Sequence, residues 1–454
     1  MYTEENITKY VDLVSFFQYD MENDFANYIL HTYIIKKRFL DRIYGYGCII
    51  NAVCNLCEKD ENKILDNDLL IYLSNYVEID KLDALNNYKI TDEGIKHLQL
   101  YTLDARYSGI TGDEIKHMQL HTLYASALIT DNRIKHILLH TLDASWSKIT
   151  DKGIKHMQLH TLYAGYSRIT DKGIKHMQLH TLYANSSQLT DEGIKHMQLH
   201  TLYASEHMTD EGIKHMHLHT LNASYSKITD EGIKHMQLHT LYTSLHITND
   251  GIKHMQLHTL YAPCSQITDE GIKHMQLHTL DARYSNITDE GIKHMQLHTL
   301  YTSHNMTDEG IKHMQLHTLK APWSKITDKG IKHMQLHTLH ASLYMTDEGI
   351  KHMHLHTLYA SDSQITDEGI KHMYLHTLFA TASGITDEGI KHMQLHTLYA
   401  SDYMTDEGIK HMRLNILEAE GSKITDEGIK HMQLHTLHAS WIKITDLYFD
   451  IYGE

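Results

Sequence analysis

The sequence predicts an α/β solenoid, a stack of short strand–helix units, and three observations predict it. The segment Ile228-Thr-Asp-Glu-Gly-Ile-Lys-His-Met-Gln-Leu-His-Thr-Leu-Tyr242 recurs nearly letter for letter every 19 or 20 residues from Ile90 to Ile444, and a fixed period of that size marks a repeat architecture. Each copy divides into a half with strand spacing and a half with helix signals. A unit this short cannot bury its own apolar face, so each copy must stack on its neighbours and the protein becomes an extended surface of the kind that holds partners.

Taken in order, residues 1–75 lack the repeat and place Tyr10, Val11, Val14, Phe17, Ile29, Tyr33 and Ile34 at helical spacing, which predicts a small helical cap. A degenerate first copy is expected in Ile64–Leu70 and Ile79–Ala84, since terminal repeats drift from the consensus. The array proper is assigned to residues 76–446. In Leu120-His-Thr-Leu-Tyr-Ala125 the apolar positions fit a short strand entered from a turn, with Leu120, Leu123 and Ala125 facing inward. In Ile228–Met236, Thr229 or Asp230 can cap a helix, acids occupy its first turn, and Ile233 and Met236 share a face, which predicts one or two helical turns. Leu447-Tyr-Phe-Asp-Ile-Tyr452, within a closing segment over 447–454, is expected to cover the open end of the core.

The motif L-x-x-L-x-A followed by I-T-D-E-G-I-K-H-M, running from residue 90 to 446, resembles the leucine-rich repeat, in particular the variant found in F-box-associated proteins. The near-identical copies are also similar to repeat proteins of giant DNA viruses. The departures are Ala in place of the third strand leucine, a shorter unit, and no Asn or Cys of the family type after the strand. The resemblance implies a horseshoe with a parallel sheet on its concave face and short helices on its convex face.

The copies differ in two places, and those differences nominate the functional residues. The position between the strand Leu and the Ala points away from the buried leucines, onto the open face of the sheet. It holds Tyr124, Tyr163, Tyr183, Tyr203, Tyr242, Tyr261, Tyr301, Tyr359 and Tyr399 among others. The loop after the Ala carries all three tryptophans, Trp146, Trp323 and Trp441. Tyrosine and tryptophan offer large amphipathic contact area at low entropic cost, so these twelve residues are the candidate partner-binding set. Tyr163, Tyr183 and Tyr203, at one place in three successive units, are expected to form a continuous exposed stripe. The Gly before the helix Ile is replaced by Glu114 and Arg133 in two copies, so that position is expected to reach solvent. Six loops are one residue shorter, and in four of these units Met208, Met306, Met345 or Met404 replaces the following Ile, as suits a flexible gap filler.

Composition narrows the function. Lys+Arg 41 against Asp+Glu 57 gives a net charge of −16, which argues against a nucleic-acid groove. The chain has no apolar run that would span a bilayer and no apolar leader, so it reads as soluble, unsecreted and without a membrane partner. Four cysteines fit a reducing compartment. Cys54 and Cys57 with Cys48 and His31 could bind zinc, but a lone C-x-x-C without a second pair favours free thiols. The H-x-x-x-H of His117 and His121 straddles the helix and strand halves and encloses no acid, unlike a zinc-protease helix. With no phosphate loop, nucleophile elbow or cofactor motif, the expectation is a non-enzyme that takes no metal or cofactor. The leading reading is a protein-interaction scaffold. The alternative, drawn from the resemblance, is the substrate-recognition subunit of a ubiquitin ligase whose residues 1–75 bind an adaptor. Its location would be cytoplasmic, in a host cell or virion if viral. Both histidine series, at the His117, His136 and His156 places and at the His121, His140 and His160 places, are expected to stack at strand spacing, with crowding depressing their pKa values.

Overall fold

The computed structural model describes residues 67–74, 79–432, 434 and 436–439. Residues 1–66 of the expected cap, with His31, Cys48, Cys54 and Cys57, lie outside the described residues, as do Trp441 and the closing segment 447–454. The chain divides into two compact units, Met1–Leu218 and His219–Glu454.

In the first unit a helix, Asn67–Ser74, precedes a parallel sheet of seven strands: Lys81–Asp83, Thr102–Asp104, Thr122–Tyr124, Thr141–Asp143, Thr161–Tyr163, Thr181–Tyr183 and Thr201–Tyr203. Pairing runs in sequence order with like positions opposite, for instance Leu162 beside Leu182. The second unit repeats the plan with twelve strands, from Thr220–Asn222 to Thr436–His438. Between strands lies a single helical turn, as in Asp230–Ile233, capped by Thr229, whose hydroxyl accepts from the Glu231 amide. The sequence is built for this. In one copy Ile228, Ile233, Met236, Leu238 and Leu241 are all within 2% of complete burial. Each such side chain contributes about 1.5–3 kcal/mol, but only because the next copy covers it.

Two devices, one polar and one steric, lock consecutive copies in register. The helix Asp does not face its own first turn; its carboxylate reaches the next copy. Asp151 accepts from both the amide and the hydroxyl of Thr170, each at 2.7 Å, and Asp308 does the same for Thr327 at the same distances. Asn249 substitutes without loss, its Oδ1 accepting from the Thr268 amide and its Nδ2 donating to the Thr268 hydroxyl. Asn67 clamps Thr91 in the same way, so the degenerate first copy joins the ladder.

The helix Gly is the second device, and here the expectation of solvent access fails. Gly173 is buried against the preceding turn, and a Cβ on it would lie 2.5 Å from Asp151 Oδ1 and 3.2 Å from Asp151 Cα. The two exceptions explain themselves. Arg133 fits because the preceding copy has Gly112, at φ +95°, where the Asp would stand, and Arg133 pairs with Asp113 instead. Glu114 is accommodated by converting its own turn to a 3₁₀ helix, Ile115–His117. Close approach, not a left-handed turn, is what the glycine supplies.

Loop length sets the third element. In the short loops Ser lies directly after the strand's small residue and donates back to the preceding copy, as Ser205 does to the Leu189 carbonyl at 2.5 Å. In the long loops Ser lies two residues later and donates to its own Ala carbonyl, as Ser167 does to Ala164 at 2.8 Å. In most long loops the residue before this Ser takes a left-handed conformation, as at Tyr166, Ser186 and Gly421, whereas Trp323 does not. Met208, Met306, Met345 and Met404 are fully buried after short loops, but so are Ile129 and Ile247, so the short loop does not require Met.

Candidate interaction surface

The strand Thr-Leu-Tyr places Leu inward and Thr and Tyr on the open face, the phase that the sequence predicts. The tyrosines are half-buried rather than freely exposed, because each ring lies on its neighbour. Tyr163 and Tyr183 stack at 4.2 Å between centroids and Tyr183 and Tyr203 at 4.4 Å. In the second unit Tyr242 stacks on Tyr261, and Tyr359, Phe379 and Tyr399 form a run of three. Burial, reinforced by Tyr183, raises the Tyr163 phenol to about 12, so it remains a neutral hydrogen-bonding group in ordinary conditions.

Charged pairs interrupt the aromatic run. Asp281, only 2% exposed, accepts a forked pair from Arg283 Nε at 2.9 Å and Nη2 at 2.6 Å, and the same guanidinium lies 5.1 Å from the Tyr301 ring. Arg106, Asp104 and Tyr124 repeat the arrangement. The hydrogen bond to the carboxylate raises the pKa of each arginine despite partial burial. Tyr301 is also met by Lys320 Nζ at 4.7 Å.

Beside the Thr row runs a column of stacked imidazoles. In the first unit Tyr101, His121, His140, His160, His180 and His200 follow one another at 4.5–4.7 Å, and in the second unit ten histidines from His219 to His396 continue at 4.6–4.7 Å. Each ring nitrogen Nδ1 shares a hydrogen bond with the following Thr hydroxyl, as His160 does with Thr161 at 3.3 Å. Burial by neighbouring groups, then repulsion from adjacent histidines, lowers the pKa of His140, His160, His239, His278, His337 and His356. The expectation of two such columns is corrected: the stacked rings belong to the His121, His140 and His160 series, while His117, His136 and His156 are exposed at the ends of the helical turns. Among the described residues no three His, Cys, Asp or Glu side chains converge on a cation, and no helix is long and apolar enough to cross a membrane.

The long loops supply the most exposed aromatic groups. Trp146 and Trp323 are exposed, as expected, and Trp146 stacks on Tyr166 at 4.0 Å. Tyr107, Tyr166, Tyr225 and Tyr284, which the variable loops also carry in the sequence, join the candidate set. With Trp146 these lie at φ between +51° and +63°. Tyr225 is 94% exposed there. Tyr284 meets Trp323 across the intervening short loop at 5.6 Å. Their shared signal in the sequence is the residue immediately before the long-loop Ser, visible only once the loops are sorted by length.

A family model for the leucine-rich repeat matches residues 214–235. That stretch is one copy of the segment whose repeats build the parallel ladder in both units. The chain is a leucine-rich repeat protein. No curated protein matches its sequence. Among solved structures, this leucine-rich repeat chain is similar to one in a crystal structure of a TLR13–ssRNA13 complex, at 15% identity and a TM-score of 0.36, over 82% of this chain and 56% of that one. The chain thus aligns with little more than half of that structure's length.

Proposed function

We propose that this leucine-rich repeat protein is a non-catalytic scaffold that binds a protein partner through the long-loop aromatics and the adjoining tyrosine face. The observation that carries the reading is the strain at the loops. An L-residue held left-handed costs about 1–2 kcal/mol; the loop imposes this on Ser186, Cys264, Asp362 and Ala382 as well as on the aromatic residues, and Gly421 and Asn86 relieve it. Tyr225 bears that strain while almost wholly exposed, so no internal packing returns it. Exposed, rigidly presented Tyr and Trp are the side chains that dominate protein interfaces.

The test places a photo-crosslinking residue at Tyr225 and, separately, at the exposed helix-side Gln237 of the same unit, in cells of the source organism. A discrete cross-linked protein from position 225 and not from 237 is expected. Identical products from both positions, or none from 225, would contradict the proposal.

A further inference from the structure

Most helical turns of the array read Asp-Glu-Gly-Ile-Lys, and the Lys pairs with the Glu three residues earlier, as in Lys195–Glu192 at 2.7 Å and Lys293–Glu290 at 2.6 Å. In three successive turns that acid is replaced, by Asn132, Lys152 and Lys172. The segments 131–136, 151–156 and 171–176 therefore carry one acid and two bases each, where 230–235 carries two acids and one base. The remaining acids, Asp131, Asp151 and Asp171, are engaged by Thr150, Thr170 and Thr190. Arg133 is neutralised by Asp113. Lys135, Lys152, Lys155, Lys172 and Lys175 are exposed, and among the described residues none has a carboxylate at ion-pair distance. Lys135, Lys152 and Lys155 border one depression with Asn132, His136, His156 and the Thr150-bonded Asp131.

A second peculiarity coincides with the first. Leu138, 84% exposed, follows the first of these three turns at a place where the next two copies carry Gln158 and Gln178. Elsewhere among the described turns only Asp328–Ile331 carries a Lys, Lys329, in place of the Glu, and it stands alone; a cationic patch over three successive turns, in a chain of net charge −16, is particular to residues 131–176.

We propose that the helix side of residues 131–176 is a docking site for a short acidic segment of a protein partner, its carboxylates meeting Lys135, Lys152, Lys155, Lys172 and Lys175 and an apolar residue covering Leu138. Charge complementarity selects the acidic ligand. The extent of the patch selects a peptide over a nucleic acid. The unpaired lysines span only three turns, and beyond them the Glu–Lys pairing of the array resumes, as in Lys96–Glu93 before and Lys195–Glu192 and Lys214–Glu211 after, so a long phosphate chain finds no further run of free cations along the helices, and it has no aliphatic group for Leu138. The site is separate from the open face and does not depend on the function proposed for that face.

The test is fluorescence anisotropy of the full chain with a labelled oligoglutamate peptide bearing one central leucine, alongside oligoglutamine and oligothymidylate probes. The variant Lys152→Glu/Lys172→Glu restores the Asp-Glu-Gly-Ile turn used in most of the array, so it retains the fold. Saturable, salt-sensitive binding of the acidic peptide is expected, weakened by about tenfold or more in the double variant and less in Leu138→Gln. Absence of saturable binding, equal binding by the double variant, or tighter binding of oligothymidylate overturns the proposal.

Discussion

Replacing Gly173 with Ala separates packing from propensity, because the two predict opposite signs. In an isolated helix Ala is favoured over Gly by about 1 kcal/mol, and the backbone at Gly173 is not left-handed, so propensity alone predicts a gain. The structure predicts a loss. The new methyl would stand 2.5 Å from Asp151 Oδ1 and 3.2 Å from Asp151 Cα, so either the carboxylate or the helix spacing must give. Moving the carboxylate strains its two bonds to Thr170, both 2.7 Å, and a hydrogen bond to a charged group is worth about 1.5–3 kcal/mol. Spreading the turns instead costs about 1–3 kcal/mol in overpacking. After the propensity gain the net destabilisation is up to about 2 kcal/mol. The assay is thermal melting together with amide exchange at Thr170 and its neighbours, which detects local opening in a repeat array where one global transition need not hold. The double variant Asp151→Gly/Gly173→Ala, which opens the space that Gly112 opens for Arg133, should lose less than the sum of its two single variants. A melting temperature that rises in Gly173→Ala would refute the clamp.

Three further outcomes follow from the same geometry. Asp308→Asn should be nearly neutral, as Asn249 is in its own copy, whereas Asp308→Ala should cost about 1–3 kcal/mol by leaving the Thr327 amide and hydroxyl unpaired, measured by urea denaturation. Tyr225→Gly should keep or raise the melting temperature, with a gain of up to about 1 kcal/mol from relief of the positive φ, and a clear fall would show that the exposed ring stabilises the fold. The lowered pKa values of the stacked histidines mean that the unfolded chain takes up protons first as pH falls. Their stability contribution is therefore complete above about 6.5 and declines as pH drops through the depressed folded values. The melting temperature should fall between about pH 6.5 and 5, and a flat or rising profile would contradict it.

The repeating plan is legible in the sequence because burial is periodic. Leu120, Leu123 and Ile233 are read as inward from spacing alone, and spacing also places Tyr163 on the open face. The inter-copy chemistry is not legible in the same way. Asp151 reads locally as a first-turn acid, and only the stacking of one turn on the next shows that its carboxylate belongs to Thr170. Glu114 and Arg133 suggest a tolerant glycine position until the neighbouring Gly112 is seen to create the space. Among the site residues, the strand tyrosines follow from period two, while the left-handed backbone at Tyr107, Tyr166, Tyr225 and Tyr284 depends on loop geometry that residue types do not announce, since aromatic residues disfavour it.

The most direct test of the interaction-scaffold account is the affinity of the protein cross-linked at position 225, measured by calorimetry for the full chain and for the variant Tyr225→Gly/Tyr284→Gly. Interface aromatics that dominate binding are worth more than about 1 kcal/mol each, while relief of two left-handed positions should leave the melting temperature equal or higher. The account predicts that Kd rises by about tenfold or more with stability preserved; an unchanged Kd in a stable variant would contradict it.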